Sequence, residues 1–385
     1  MSTSVVEQQH QADEEAGSDK PAHPVGILPS QEIRAMIGRA EISATDAIPE
    51  EQIQPASIDL RLGSVAYRVR AGFLPGPETT VRERIGAFAM HEVDLTKGAV
   101  LEKGCVYIVP LMERLNLPER VSGTANPKSS TGRLDVFTRL ITDHAVMFDQ
   151  VPPGYEGPLY TEISPRTFSI VARQGARLSQ LRLQHGTLSA SDTAIRQLHE
   201  ATPLVDSAPG TENIDHGIAV TVDLKGNDRG LVGYRAQHYT DLIDLAKVDH
   251  YDPNHFWEPV YVDSRGTVIL YPGDFYILAS KEAVTVPPDH AAEMRPYDTR
   301  VGEFRVHYAG FFDPGFGYAA TGGSGSRAVL EIRSFEVPFV LRDGQLVARL
   351  VYEPLTAEPD KLYGVDIGSS YQRQGLALAK QFKRQ

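Results

Sequence analysis

The chain has 385 residues, of which 41% are hydrophobic, and this length and composition suit two globular domains. Its 50 Asp and Glu residues outnumber its 38 Lys and Arg residues, so the net charge is −12. Such a balance, without a basic stripe, argues against binding of a nucleic acid polymer or of an anionic membrane surface. A small anion can still bind wherever a few cations converge.

Cysteine content and hydropathy exclude further classes of protein. The single cysteine, Cys105, rules out an internal disulfide and a cysteine-cluster zinc site. No apolar stretch reaches membrane-spanning length, and residues 1–24 contain no signal-peptide core. These features predict a cytoplasmic protein.

The N-terminal region begins with a polar segment. Residues 1–25 are rich in Gln, Glu, Asp and Ser, and this composition predicts a disordered tail. A helix is predicted next, in the sequence PSQEIRAMIGRA, with Ser30 as its N-cap and with Ile33, Met36 and Ile37 on its apolar face.

A strand motif follows in the sequence QPASIDLRLG at residues 54–63. Asp59 lies between apolar residues of this motif, where a lone charge is costly unless it has a partner. We therefore expect Asp59 to form an ion pair, with Arg61 or with another cation, or to order a site.

An internal repeat organises most of the chain. The segments 100–118 and 268–287 share residues at matched positions, and further matches occur later at the same separation, which we call the repeat spacing. The matched pairs are Gly104 and Gly273, Tyr107 and Tyr276, Pro118 and Pro287, Glu162 and Glu331, Gly175 and Gly344, and Leu181 and Leu350. Several matches at one spacing predict a duplicated domain.

The repeat sets the expected domain boundaries. We expect a first copy at residues 26–185, a second copy at residues 214–385, and a linker with one short helix at residues 186–213. Each copy consists mostly of short segments that alternate or are rich in β-branched residues, separated by Pro and Gly. This pattern predicts a mainly β fold, a sandwich or a barrel, with a few short helices.

The sequence TANPKSSTGRL at residues 124–134 is a candidate phosphate-binding segment. Lys128, Ser129, Ser130 and Arg133 lie within six residues of one another. Two hydroxyls and two cations suit a polyphosphate, whose oxygens accept several converging hydrogen bonds. The segment is not a P-loop, because the GxxxxGK[ST] pattern is absent. The simplest alternative is a polar turn.

Two glutamates at matched positions are candidate acid–base groups. Glu162 and Glu331 each lie in an apolar strand segment. A carboxylate in such surroundings can have a raised pKa and can then act as both acid and base. The alternative is that each glutamate faces solvent at a strand edge.

Two later segments are candidate ligand contacts. The sequence VHYAGFFDPGFG at residues 306–317 is typical of a β-hairpin with its turn at Asp313, and such a hairpin can present backbone groups to a base edge. The C-terminal sequence SSYQRQG contains Tyr371 and Gln374 and could close over a ligand as an ordered tail. The alternative for this tail is simple fraying.

Taken together, these motifs resemble the dCTP deaminase branch of the dUTPase superfamily, in its longer bacterial form with two fused domains. The resemblance runs from residue 26 to nearly the end of the chain. It is carried by the early helix, the PASIDLRLG strand, the Ser-Ser…Arg motif, the hairpin with a DPG turn, the AVLEI strand, the glycine turn that follows and the SSYQRQG tail.

The resemblance implies tandem dUTPase-like β-barrel domains, a homo-oligomer, and sites between domains. We expect the first copy to hold a triphosphate through Ser129, Ser130, Arg133 and Gln180, together with Lys128. The second copy is expected to hold the base through residues 309–315, which include Ala309, Gly310 and Asp313, and to supply Glu331. At the position of SSTGR the second copy has PYDTR, residues 296–300, without the serines. Glu162 remains an alternative catalytic residue.

The implied reaction is deamination of dCTP to dUTP and ammonia, with Mg²⁺ accompanying the triphosphate. The H-x-E…P-C-x-x-C pattern of zinc deaminases is absent, so a carboxylate is expected to take a proton from water and pass it to the base. Ser129 and hairpin carbonyls would position the water. Two alternatives stay open: a dUTPase or bifunctional enzyme, in which Asp313 helps to activate water, and a regulator that binds dCTP or dTTP without turnover.

Overall fold

The computed structural model describes residues 24–188, 191–207, 210, 212–296, 304–306, 310–364 and 375–384. The predicted N-terminal tail therefore lies almost entirely outside the described residues. We call residues 24–188 the N-terminal half and residues 191–384 the C-terminal half.

The α-helices of the described residues are short. They are Ser30–Gly38 (α1), Val81–Phe88 (α2), Ser129–Gly132 (α3) and Asp192–Ala201 (α4), with 3₁₀ turns at Glu50–Gln52, Pro253–His255 and Ala319–Thr321. Helix α2 begins with a capping box, because the Thr80 hydroxyl accepts from the Glu83 amide while the Glu83 carboxylate accepts from the Thr80 amide. Helix α4 lies where the sequence predicted a short helix between the two copies. None of the helices in these ranges is both long and apolar enough to cross a membrane.

Strands are the main regular secondary structure of both halves, as the sequence predicted. The strands of the N-terminal half are Gly26–Ile27 (β1), Ile42–Ala44 (β2), Ile58–Arg61 (β3), Val65–Val69 (β4), Ala89–Asp94 (β5), Ala99–Leu101 (β6), Val106–Asn116 (β7), Val121–Pro127 (β8), Val136–Thr142 (β9), Gln150–Val151 (β10), Glu156–Pro165 (β11), Ile170–Ala172 (β12) and Arg177–His185 (β13).

The regular secondary structure of the C-terminal half also consists mainly of short strands. They are Ile218–Thr221 (β14), Leu231–Ala236 (β15), Ile243–Asp244 (β16), Trp257–Tyr261 (β17), Thr267–Leu270 (β18), Phe275–Val284 (β19), His290–Pro296 (β20), Phe304–Val306 (β21), Phe311–Phe312 (β22), Ser326–Ser334 (β23), Phe339–Arg342 (β24) and Leu346–Pro354 (β25).

Each half contains two larger sheets whose apolar faces enclose a core. In the N-terminal half the sheets run β1-β13-β8-β10, with β3 on β13, and β5-β4-β7-β11-β9, with β2 on β7. In the C-terminal half they run β14-β25-β20-β22 and β17-β15-β19-β23-β21. The central strands β7, β11, β19 and β23 are buried along most of their length.

Several strands of the two halves correspond at the repeat spacing. Strands β8 and β20, β13 and β25, and the starts of β7 and β19 are all separated by the distance along the chain that separates Gly104 from Gly273. Local bonding corresponds as well. The Tyr107 hydroxyl accepts a hydrogen bond from the Glu102 amide at 3.0 Å, and the Tyr276 hydroxyl accepts one from the Tyr271 amide at 3.0 Å.

The two halves also contact each other directly. Strand β16 of the C-terminal half pairs in parallel with β12 of the N-terminal half, in the small sheet β16-β12-β6. Beside it, the Arg173 Nη2 donates to the Asp244 carboxylate at 2.9 Å. The Phe168 ring packs edge-on against the Trp257 ring of the other half, with 5.4 Å between centroids. The two halves are therefore joined by backbone pairing, charge and aromatic packing.

Helix α1 differs from its prediction at its first residue. Its N-cap is Pro29, and Ser30 is already helical. The Ser30 hydroxyl bonds the Asp360 carboxylate of the C-terminal half instead of capping the helix. The predicted apolar face is confirmed, because Ile33 and Met36 are buried and Ile37 packs against the core.

Candidate active site

Glu331 occupies the middle of β23, paired on one side with β19. Only 4% of Glu331 is exposed, and its neighbours on the strand are apolar and buried as well. Burial raises the pKa of the Glu331 carboxyl to about 8, and the nearby Arg133 guanidinium limits the rise. A buried carboxyl of this kind carries a proton at neutral pH and can release it to a suitable acceptor.

Arg133 brings the N-terminal half to this carboxyl. The Arg133 Nε lies 4.0 Å from the Glu331 Oε1, and both side chains are buried. A second nitrogen of the guanidinium, Nη1, donates to the Ala377 carbonyl at 3.2 Å. Three separate segments therefore meet at Arg133: the loop after α3, strand β23 and the C-terminal tail.

A second ion pair runs beside the first. Arg333 lies two residues after Glu331 on the same face of β23, and it bonds the Asp135 carboxylate, two residues after Arg133. The Arg333 Nη2 also donates to the Thr167 hydroxyl at 2.9 Å. Residues 133 and 135 of the loop thus face residues 331 and 333 of the strand in the same order. The two neighbouring ion pairs hold strand β23 against the loop after α3.

A cluster of cations lies next to α3. Lys128, just before the helix, bonds the Asp59 carboxylate, and the Arg177 Nη1 lies 3.6 Å from the same carboxylate. Partial burial lowers the pKa of Lys380 in the C-terminal tail, and the nearby charges of Lys128 and Arg177 lower it further. Three cations around a single carboxylate leave positive charge available for a polyphosphate.

Asp313 is the second buried acid that approaches this region. Burial raises the pKa of its carboxyl to about 6, whereas Arg182 and then Lys128 oppose the rise and Asp59 adds to it. The charges of Lys128 and Asp59 act on this carboxyl, so Asp313 lies near the cation cluster formed mainly by the other half. At neutral pH the Glu331 carboxyl, with a pKa of about 8, is mostly protonated, whereas the Asp313 carboxyl, with a pKa of about 6, is mostly ionised.

Glu162 lies in different surroundings from Glu331. Its cross-strand neighbour on β9 is Arg139, whose Nε and Nη2 donate to the Glu162 Oε1 at 3.1 and 2.5 Å. A Cβ atom on Gly72 would lie 2.3 Å from the Glu162 Oε2, so the backbone of that loop presses directly on the carboxylate. Glu162 is therefore bonded and covered by its own half, and it is buried and does not face solvent.

The remaining predicted residues divide into two groups. Ser129 and Ser130 begin α3 beside Lys128 and are half-buried, and Gln180 is buried opposite Asp59 on the β3–β13 ladder. These residues, together with Arg133, Asp313 and Glu331, lie around one region. Gly310 is placed farther along, where its carbonyl accepts from the Met294 amide at 3.2 Å. Ala309, Tyr371 and Gln374 lie outside the described residues.

Two local predictions need correction. The predicted alternative partner of Asp59, Arg61, pairs with Glu113 at 2.8 Å, and the other predicted alternative, a different cation, is the one observed. The DPG turn at 313–315 does not close a two-stranded hairpin: Phe311–Phe312 pairs with β20, whereas β21 pairs with β23. The turn lies at the end of a sheet strand, which holds Asp313 more rigidly than a free hairpin would.

Five residues of the region were not identified from the sequence. They are Asp135, Arg177, Arg182, Arg333 and Lys380. Alternation along a strand places Arg333 on the face of Glu331, so that residue could have been found from its spacing. The others depend on contacts between segments that are distant along the chain, and the spacing within one segment does not reveal such contacts.

Family models of 2′-deoxycytidine 5′-triphosphate deaminase match both halves of the chain. The model of the N-terminal domain matches residues 24–187, and the model of the C-terminal domain matches residues 191–382. The crystal structure of 2′-deoxycytidine 5′-triphosphate deaminase from Agrobacterium tumefaciens is 56% identical, with a TM-score of 0.82, and the match covers 86% of this chain and 99% of that chain.

Curated proteins of the same kind match shorter stretches. The protein named "dCTP deaminase, dUMP-forming" from Methanosphaera stadtmanae is 32% identical over 191 residues, which is 48% of this chain and 88% of that protein. The protein of the same name from Halobacterium salinarum is 35% identical over 117 residues, 29% of this chain. The chain spans only 55% of that protein's length.

Proposed function

Because this chain belongs to the dCTP deaminase family, we propose that it deaminates dCTP at a composite site in which Glu331 is the catalytic carboxyl. One observation carries the proposal. The buried Glu331 of the C-terminal half lies 4.0 Å from Arg133 of the N-terminal half, within the segment that the sequence identifies as a phosphate motif. Acid, cation and phosphate-binding groups therefore share one region.

The protonation state of Glu331 suits the first step. With a pKa of about 8, the carboxyl is protonated at neutral pH and donates its proton to N3 of the cytosine. The resulting carboxylate accepts a proton from a water molecule while the water oxygen forms a bond to C4. The adduct then carries a hydroxyl and an amino group on C4.

Release of ammonia restores the carboxyl. Glu331 returns its proton to the amino nitrogen, the C4–N bond breaks, and ammonia leaves with the bonding electrons. The C4 hydroxyl then gives its proton to the carboxylate, which leaves a C4 carbonyl and a protonated N3. Arg133 stabilises the carboxylate form of Glu331 each time it arises. The buried side chain can therefore alternate between its protonated and its ionised form.

The triphosphate is assigned to the cation cluster. Lys128, Arg177 and Lys380 surround Asp59, and the Ser129 and Ser130 hydroxyls lie at the start of α3 beside them. The Asp59 Oδ2 contacts both Lys128 and Arg177, so this carboxylate orients the two cations. We assign Mg²⁺ to the substrate, as the ion of the nucleotide complex held through phosphate oxygens and water.

The assembly is part of the proposal. We infer that the two halves are tandem dUTPase-like domains produced by duplication, since their strands correspond at the repeat spacing. The two halves of one chain supply both sides of the site, and we propose that whole chains associate as a homo-oligomer. The mechanism that we propose uses no zinc, because the sequence has a single cysteine and lacks the H-x-E…P-C-x-x-C pattern of zinc deaminases.

A second candidate product is dUMP. Two of the relatives described above are named dUMP-forming, and Asp313 is a buried acid near the cation cluster that could activate water for hydrolysis of the triphosphate. Deamination to dUTP is common to both alternatives. They differ in whether dUTP accumulates or is converted onward.

Chromatography of the nucleotides tests both parts. Purified chain is incubated with dCTP and Mg²⁺ in the presence of a zinc chelator, beside the variants Glu331→Gln and Glu162→Gln. We expect the wild type to convert dCTP and Glu162→Gln to retain this conversion. In Glu331→Gln we expect kcat to fall by at least about a thousandfold, because the proposed mechanism moves every proton through Glu331. Accumulation of dUMP would favour the second candidate product.

Two outcomes would contradict the proposal. Conversion by Glu331→Gln with loss in Glu162→Gln would place the chemistry in the N-terminal half instead. Binding of dCTP without any conversion by the wild type would make the chain a nucleotide-binding regulator.

A further inference from the structure

Arg182 is an arginine buried in the packed boundary between the two halves. It lies on β13 with only 3% of the residue exposed. At the repeat spacing the C-terminal half has Val351, which is equally buried. A guanidinium therefore occupies a position where the corresponding strand has an aliphatic side chain. Burying that charge is costly unless specific partners compensate for it.

Those partners all belong to the opposite half. The Arg182 Nη1 donates to the Ala292 carbonyl at 3.1 Å, and the Nη2 donates to the Phe312 carbonyl at 3.3 Å. The guanidinium also lies 3.9 Å from the centroid of the Phe311 ring. Arg182 thus binds both strands of the β20–β22 pairing, immediately before the turn that carries Asp313.

The same guanidinium faces the Asp313 carboxylate. The Arg182 Nη2 lies 3.9 Å from the Asp313 Oδ1, an oxygen that is buried and has no hydrogen-bond partner among the described residues. The other charges that act on this carboxyl are Lys128, before α3, and Asp59, on β3. An acceptor oxygen that is buried but unbonded costs free energy, and a bound nucleoside can supply the missing donor.

We propose that Arg182 is a positioning residue for the deamination site, holding the Phe311–Asp313 segment so that the Asp313 carboxylate can accept a hydrogen bond from the nucleoside. This inference rests on the proposed function. Arg182 acts through two features: its bonds to the two carbonyls fix the strand, and its charge favours the ionised, accepting form of Asp313. The hydrogen-bond donor on the substrate is a sugar hydroxyl or the cytosine amino group.

The test compares pH profiles of kcat and KM for dCTP in four variants: Arg182→Val, Arg182→Lys, Asp313→Asn and the double variant of Arg182→Val with Asp313→Asn. Valine is the residue of the corresponding strand, so it suits a packed β position. Arg173→Val is the matched control, because it removes another Arg–Asp pair between the halves, at the β12–β16 contact. The melting temperature of each variant is recorded.

An arginine this close lowers the pKa of an aspartate by about one unit or more. We therefore expect Arg182→Val to move the acid limb of kcat/KM upward by about one pH unit, with about a fivefold rise in KM at pH 6 and little change in kcat. Arg182→Lys should recover part of the shift. In the Asp313→Asn background, Arg182→Val should produce no further shift, and Arg173→Val should leave the limb unmoved.

The contrary result is a purely structural one. If Arg182→Val lowers the melting temperature and reduces activity equally at every pH, Arg182 only fills the boundary and the inference is wrong. An inactive wild type would contradict the proposed function instead. In that case calorimetry measures the pH dependence of dCTP binding by the wild type and the same variants. If Arg182→Val does not shift this pH dependence, the inference is again overturned.

Discussion

At the scale of single residues, the two matched glutamates have taken opposite roles. Glu331 is buried with its nearest cation 4.0 Å away, whereas Glu162 is bonded directly by Arg139. The first arrangement favours a protonated acid that can exchange its proton. The second favours a permanently paired carboxylate that ties β9 to β11. The difference comes from which half supplies the arginine.

This difference predicts opposite stability effects. The Glu331 pKa is about 8 in the folded chain against an ordinary value of 4.5, so between these values the native state binds more protons than the unfolded state. Stability contributed by this group therefore falls as pH rises through that window, by about 1 kcal/mol per unit. Glu331→Gln cannot ionise, so we expect it to gain on the wild type from pH 5 to pH 8 in denaturant unfolding.

Glu162→Gln should behave in the opposite way. Its amide cannot replace the charged bonds to Arg139, and we expect a loss of about 2 kcal/mol in the free energy of unfolding at neutral pH. Equal stability of Glu162→Gln and wild type, or a constant gap between Glu331→Gln and wild type across the pH range, would contradict this account.

The sequence could identify both glutamates but could not separate them. Their matched positions mark them as a pair, and the apolar strand predicts burial for each. What decides the pKa is the position of Arg139 and Arg133, and both follow from strand register and the packing of halves. Arg139 is 23 residues from Glu162 along the chain, with a turn between the strands that carry them. Register of that kind cannot be read from one strand alone.

At the scale of elements, the C-terminal tail connects the site to an aromatic cluster. Phe382 lies edge-on to Phe256 and Trp257, with 5.4 and 5.8 Å between ring centroids. Upstream in the same tail, Ala377 accepts from Arg133 and Lys380 joins the cation cluster. The cluster thus anchors a segment whose other end contacts the site.

Removing the anchor should affect substrate binding. Phe382→Ala deletes a buried ring, a change that costs about 3–5 kcal/mol where the surroundings cannot collapse. Because the tail can detach locally, we expect the cost to appear as faster proteolysis of the tail and as a higher KM for dCTP. Phe88→Ala is the matched control, since its ring pairs with Phe73 far from the tail. An unchanged KM in Phe382→Ala would show that tail docking is independent of the site.

Elements were easier to predict than their partners. The apolar spacing of α1, the linker helix α4 and the DPG turn were all found in the sequence. The partner of β22 was not, because a two-residue strand has no periodicity and its bonds to β20 depend on residues far along the chain. Likewise, Ser30 is a favourable cap by residue type, yet Pro29 already supplies the extended N-cap backbone and Asp360 takes the hydroxyl.

At the scale of the molecule, the halves match in framework and differ in chemistry. Strands β10 and β22 pair with corresponding residues of β8 and β20, and each is followed by one residue and then Pro–Gly. That one residue is Pro152 in the N-terminal half and Asp313 in the C-terminal half. The N-terminal half therefore has no acid at the position of Asp313, and its Glu162 is already paired with Arg139.

One nucleotide per chain is the expected stoichiometry. Glu162 is paired with Arg139 and is pressed by the Gly72 backbone, so among the described residues its surroundings differ from those of Glu331 and do not suit a second site of the same kind. Calorimetric titration of the Glu331→Gln variant with dCTP and Mg²⁺ should give a binding ratio near one per chain. A ratio of two would mean that the N-terminal half also forms a site.

The repeat predicted this framework well and the contacts between halves poorly. The repeat spacing holds for several strand pairs, among them β8 with β20 and β13 with β25, and was evident from a few glycines and one pair of tyrosines. The strand β16 that crosses to the other half and the buried Arg182 have no counterparts in the repeat. Features without a counterpart cannot be found by comparing the copies, and they are the ones that join the halves.

The meeting of Arg133 and Glu331 within one polypeptide has a consequence for dilution. When the two sides of a site belong to separate molecules, the site falls apart below the dissociation constant of the complex. Here the covalent link makes their encounter intramolecular, at an effective concentration that does not depend on how much protein is present. The paired acid and cation thus persist in a single isolated molecule, however scarce the protein becomes.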